Sequence, residues 1–114
     1  MNTLFIVRSN AAPGREADYN QWYNDVHLKE VLEIKGSQSA QRFELSSAQV
    51  QPVQSHGFLA IYEIDGADVA ATLARLGEAT WLTMSDAIEP ESIEISVFAG
   101  ITDKLSRKAG SKPV

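Results

Sequence analysis

Residues 58–64, Phe-Leu-Ala-Ile-Tyr-Glu-Ile, alternate with the period of a strand, yet neither face they define is polar. Phe58, Ala60, Tyr62 and Ile64 fall on one side, and Leu59 and Ile61 share the other with Glu63. Such a strand needs cover on both faces, because side chains of this size left in water together form a patch larger than soluble monomers carry. Three further segments have strand patterning. Leu4-Phe5-Ile6-Val7 is an unbroken apolar run, and Ser39 to Leu45 sets Gln41, Phe43 and Leu45 against Ala40, Arg42 and Glu44. The last, about Ser92 to Ile101, sets Ile93, Ile95, Val97, Ala99 and Ile101 against Glu94, Ser96, Phe98 and Gly100.

Two helices interrupt these strands. From Arg15 to about Leu32 or Ile34, Tyr19, Trp22, Tyr23 and Val26 recur at three- and four-residue spacing, and Gly36 follows as a stop. The second helix starts after Asp65-Gly-Ala-Asp68, with Asp65 expected as N-cap and Asp68 in the first turn, and carries Val69, Leu73 and Leu76 on one stripe up to Gly77. Ser46 to Gly57 reads as a polar hairpin loop with His56 exposed at its end, and Ala79 to Ile88 as a connector with a short helical turn. The order strand, helix, strand, strand, helix, strand is the α+β, ferredoxin-like βαββαβ arrangement: an antiparallel four-stranded sheet with two helices on one face. The other face stays bare. Pairing it with a second copy hides its apolar side chains, so a homodimer is expected.

At 114 residues the chain has the size of one domain, residues 1–103, followed by a basic tail, residues 104–114, without apolar period and expected to be flexible in an isolated subunit. The overall charge of −5 hides an asymmetry: residues 1–103 hold six basic and fifteen acidic side chains, hence −9, whereas Lys104, Arg107, Lys108 and Lys112 have no acid after them. An acidic body is a poor surface for phosphate, so no nucleic-acid partner is expected. No apolar run approaches the roughly 20 residues of a membrane helix, and the apolar start is too short for a signal peptide, so a cytoplasmic protein without a membrane partner is expected. The chain has no cysteine, which removes thiolate chemistry, and its two histidines cannot form a three-histidine zinc site.

The residue that carries the most chemistry is His27. It follows the Tyr19, Trp22, Tyr23, Val26 stripe at its edge, where aromatic neighbours can hold a neutral imidazole for proton transfer. A lone histidine near a helix end is often only a surface or capping residue, and an aromatic stripe at helical spacing is usually core.

The segment Ala12-Pro-Gly-Arg-Glu-Ala-Asp-Tyr-Asn-Gln-Trp-Tyr-Asn-Asp-Val-His-Leu, with Val31-Leu32 and Gly36, resembles the dimeric α/β-barrel superfamily, especially its EthD-like members. Ala40-Gln-Arg-Phe, Leu59-Ala-Ile-Tyr-Glu-Ile and Thr83-Met-Ser-Asp extend the likeness over about residues 4–101. Its most specific part is Trp22-Tyr23 followed by Val26-His27-Leu28; Lys29 stands where the pattern has proline. The resemblance implies a dimer with facing sheets and a pocket between helices and sheet in each subunit. It implies His27 as the polar, catalytic group there, with Trp22, Tyr23, Arg42, Tyr62, Trp81 and Met84 as the substrate-binding wall. The function it suggests is a small cofactor-independent lyase, isomerase or oxygenase acting on a hydrophobic, aromatic or polyketide-like small molecule. Arg42 or a tyrosine hydroxyl would then steady developing negative charge. A non-catalytic binding protein with the same pocket, and a haem protein with His27 on the iron, are the alternatives.

Overall fold

The computed structural model of the chain describes residues 2–108. Its strands, β1 (Thr3–Ser9), β2 (Ser37–Glu44), β3 (Phe58–Ile64) and β4 (Glu94–Ala99), form one antiparallel sheet in the order β2-β3-β1-β4. The apolar run Leu4–Val7 thus occupies an inner position, as its lack of a polar face requires. The first helix is a rod in three parts: α1 (Glu16–Trp22), a π-helical turn (Tyr23–His27) and α2 (Leu28–Leu32). The second, α3 (Val69–Gly77), joins β3 to the connector that leads into β4. This is the expected ferredoxin-like α+β order.

Register divides the sheet into two faces. On the helix side lie the cross-strand rows Val97, Phe5, Tyr62, Ala40 and Ile95, Val7, Ala60, Arg42. Tyr19, Trp22, Tyr23 and Val31 from the first helix pack there with Phe5, Ala60 and Tyr62, and Val69, Leu73 and Leu76 of α3 pack against the same cluster. Tyr19 is fully buried, and its hydroxyl lies 2.6 Å from Ser9 Oγ, tying the helix to β1. On the other side the rows are Phe98, Leu4, Glu63, Ser39 and Ser96, Ile6, Ile61, Gln41. No helix covers them. Phe43 and Phe98 on that face are exposed.

Gly36 fixes where the first helix gives way to β2. Its φ of 103° belongs to the left-handed region, and a Cβ there would collide with the Thr72 side chain of α3. The two helices therefore approach through a glycine. Arg75 of α3 completes the junction by donating from Nη1 to the Lys35 carbonyl, at 3.0 Å.

Three local expectations need correction. The N-cap of α3 is Asp68, which accepts from the Ala71 amide; Asp65 instead accepts from the Ala67 amide and closes the preceding turn. His56 is not exposed: its Nε2 lies 2.9 Å from the Ser92 carbonyl and its Nδ1 2.9 Å from Ser55 Oγ, so it pins the hairpin loop against the start of β4. Between residues 79 and 88 the chain forms no helix and only isolated turns, one closed by the Leu82 amide on the Ala79 carbonyl at 3.3 Å; among the described residues the 3₁₀ helix is Pro90–Ser92, and the connector is anchored by a bridge between Ile88 and Ala11. Residues 101–108 form no regular structure and are exposed, and the remainder of the tail, from residue 109, lies outside the described residues. No helix among the described residues is long and apolar enough to cross a membrane.

Candidate active site

A cavity of about 370 Å³ lies between the first helix, α3, the connector and the helix-side face of β1 and β4. Phe5, Val7, Val31, Leu73, Leu76, Leu82, Ile88, Ile93 and Ile95 make most of its wall, and Trp22, Tyr23, His27, Tyr62 and Met84 complete it. A mainly apolar chamber of this volume with a few polar groups is the usual form of a small-molecule site. The depression of about 390 Å³ on the opposite face, around Arg8, His56 and Glu94, mixes Phe43 and Leu59 with polar and charged side chains such as Glu44, Gln49 and Gln54, and lacks that mainly apolar character.

His27 owes its position to the π turn. The Leu28 amide donates to the Tyr23 carbonyl, five residues back, and the widened turn carries the imidazole onto the aromatic face of the rod. There it stacks on the Trp22 indole, with centroids 4.6 Å apart and planes at 23°, and meets the edge of the Tyr23 ring at 5.1 Å. Its Nδ1 is fully buried without a hydrogen-bond partner. Burial lowers the proton affinity of His27 below its ordinary value, and Glu30, one turn on, opposes this weakly. The ring is thus held neutral.

Tyr23 and Tyr62 line the same cavity as this imidazole. Both side chains are buried, and the Tyr62 hydroxyl lies against that of Tyr23 without a well-formed hydrogen bond of its own. Burial pushes the Tyr23 phenol up to about 12, while the neighbouring Tyr62 hydroxyl and the Arg42 charge pull the other way. Tyr62 is raised further by its own burial. Both therefore remain protonated donors at neutral pH.

Arg42 is close by but not in the cavity wall. Its guanidinium carbon sits 4.4 Å from the centre of the Tyr23 ring, 5.1 Å from Tyr19 and 5.4 Å from Phe58, and Nη1 donates to Asn24 Oδ1 at 2.6 Å. Its Nε and Nη2 are buried without partners. The Tyr23 ring therefore stands between the charge and the chamber. Trp81 is also absent from the wall, 52% exposed on the connector.

Two contacts fix the connector over the cavity. Trp22 Nε1 donates to the Thr83 carbonyl at 2.9 Å, and the Glu30 carboxylate accepts from both the amide and hydroxyl of Thr83. The only sign of Glu30 in the sequence is its place three residues after His27, on the same side of a helix. The apolar wall was legible only as strand alternation and the α3 stripe, which mark core and cavity alike.

No protein-family model matches the chain, and no curated protein matches it. Among solved structures, an ethyl tert-butyl ether D (EthD) family protein of Bacillus halodurans C-125 superposes with a TM-score of 0.56 at 9% identity, covering 89% of this chain and all of the other. The fold shared with this EthD family protein is the ferredoxin-like α+β arrangement described above. A candidate monooxygenase of Shewanella loihica PV-4 shares this fold with a TM-score of 0.53 at 10% identity, over 90% of this chain and 98% of that one. A Nitrosomonas europaea protein of unknown function does so with 0.53 at 19%, over 94% and 96%. Identities this low establish the shared fold alone, and chemistry has to be read from the site.

Proposed function

We propose that the protein is a small enzyme that moves a proton on a compact, mainly apolar substrate bearing one oxygen function. The supporting observation is the convergence, in an otherwise apolar chamber, of an imidazole held neutral by burial with two protonated tyrosines. His27 is the acid/base, Tyr23 donates to the substrate oxygen, and Tyr62 supports Tyr23 as charge builds on that oxygen. Trp22 holds the imidazole in plane, and the aliphatic wall selects an apolar body and excludes water. These steps use only side chains of the chain and provide the proton abstraction with which an isomerase, lyase or cofactor-free oxygenase reaction begins. Arg42 acts from behind Tyr23, its charge favouring negative charge on the phenol oxygen. A chamber of about 370 Å³ suits a compact ligand better than a macrocycle such as haem. The bare sheet face, with Leu4, Ile6, Ile61, Phe43 and Phe98, supports pairing of two copies through it.

Native mass spectrometry of freshly purified protein tests the reading by detecting a co-purified organic compound and the subunit count together. The expected result is a dimer with an apolar, oxygen-bearing compound that wild type converts and His27→Ala does not. Binding without conversion in both would reduce the site to a binding pocket.

A further inference from the structure

Part of the cavity wall stands in water. Ile93, Ile95 and Met84 all line it, yet they are 36%, 59% and 63% exposed, so the mouth is rimmed with apolar side chains in water. A second apolar excess hangs from the end of β4. After Gly100, whose amide donates to the Asn2 carbonyl, residues 101–108 form an arm in which Ile101 and Leu105 are each 89% exposed. Each set needs a surface like the other.

We propose that the C-terminal arm of a second copy of this chain lies over the mouth of the cavity and closes it. Charge supports this occupant. From residue 76 to residue 103 there is no lysine or arginine, and Glu78, Asp86, Glu89 and Glu91 lie in the segments that form the mouth, whereas every charged side chain after Asp103 is basic. Asp86 already meets Arg15 at 3.1 Å; Glu78, Glu89 and Glu91 have no basic neighbour within their own segment. Lys104 and Lys108 of the arm bracket Leu105, so one strip of chain offers an apolar anchor between cations to an apolar mouth rimmed with acids.

Topology favours a second copy over the same chain. Ile95 is near the start of β4 and the arm leaves from its far end, so the chain's own arm would have to reverse along the whole strand to reach its own cavity. A neighbour's arm meets no such constraint. Eight extended residues, 101–108, span roughly 26 Å, over half of the molecule's longest dimension of 48 Å. The inference rests on the cavity being the site, and it gives that site a wall from the partner: turnover in a water-excluded chamber would then need two copies.

The absence of cysteine makes a clean test. Full-length Ile95→Cys and Leu105→Cys variants, distinguishable in mass, are mixed and treated with a short bis-maleimide. The proposal expects the covalent heterodimer as main product, forming more slowly at high salt. In the Ile95→Cys/Leu105→Cys double variant it expects linkage between chains. Linkage within one chain, predominance of the two like-with-like products, or no cross-link would each overturn it. Met84→Cys replaces Ile95→Cys if the latter does not fold. The readout is contact rather than turnover, so it separates failure of the arm from failure of the proposed chemistry.

Discussion

The rings of Trp22 and His27 stack at 4.6 Å although the residues are five apart in sequence. In a regular α-helix, side chains five apart point about 140° away from each other. The π turn at Tyr23–His27, closed by the Leu28 amide on the Tyr23 carbonyl, removes that divergence and turns His27 toward the cavity. A single widened turn thus converts an edge residue of the stripe into a residue of the site. Wide turns of this kind recur at functional positions because they sacrifice helical regularity for side-chain placement.

Neutral His27 makes stability depend on pH in a definite direction. Its folded proton affinity is lowered by burial from the ordinary 6.5, so between the folded value and pH 6.5 the unfolded chain binds more protons. The contribution is complete above that range and is lost as pH falls through the folded value. Thermal melts between about pH 7.5 and 5.5 should show wild type losing more stability than His27→Gln. Parallel profiles would mean that the imidazole is not held neutral.

At Gly36 the backbone and the space both demand glycine. Gly36→Ala should destabilise by about 2 kcal/mol or more, combining a left-handed φ with a collision at Thr72. Gly14, also at positive φ but with open space around it, should cost only about 1 kcal/mol on the same change. Denaturant unfolding of the two variants measures the difference, and equal losses would contradict the close approach of α3.

The stacked guanidinium of Arg42 gives a prediction that runs against charge conservation. Its Nε and Nη2 are buried and unpaired while its guanidinium carbon lies 4.4 Å over the Tyr23 ring. Arg42→Met, apolar and of similar length, should leave stability within about 1 kcal/mol of wild type, and Arg42→Lys should be the less stable of the two. Turnover should fall in Arg42→Met, since Tyr23 loses the charge behind it. A lysine variant as stable as wild type would show that charge alone, not the stacked plane, is what the position requires.

Much of this architecture was legible because the strands are unambiguous. The two-sided apolarity of residues 58–64 and the order of six elements led directly to the ferredoxin-like sheet, and the alternation in residues 39–45 put Arg42 on the face opposite Phe43, where it lies. The π turn left no trace, because Tyr-Asn-Asp-Val-His contains no glycine or proline to mark a change of helical period. Asp65 and Asp68 are both plausible caps, and the choice fell to the turn that Asp65 makes with Ala67. In the sequence His56 looks exposed because its partner, the Ser92 carbonyl, is 36 residues away and identifiable only once the loop is closed. Resemblance groups Arg42 and Trp81 with the wall. Tyr23 screens the first from the chamber, and the second sits on the outer side of the connector.

The most direct test of the account is whether a small aromatic compound with one oxygen seats against His27. Titration of 2-naphthol into isotopically labelled protein, followed by NMR of the imidazole nitrogens and the leucine methyls, reads this at the residue level. Saturable shifts are predicted at His27, Tyr23, Leu73 and Leu76, with affinity lowered about 10- to 100-fold in His27→Gln, as expected when a hydrogen-bond partner is removed from a buried site. Shifts confined to His56 and the bare sheet face, or saturable binding unaffected by His27→Gln, would contradict it.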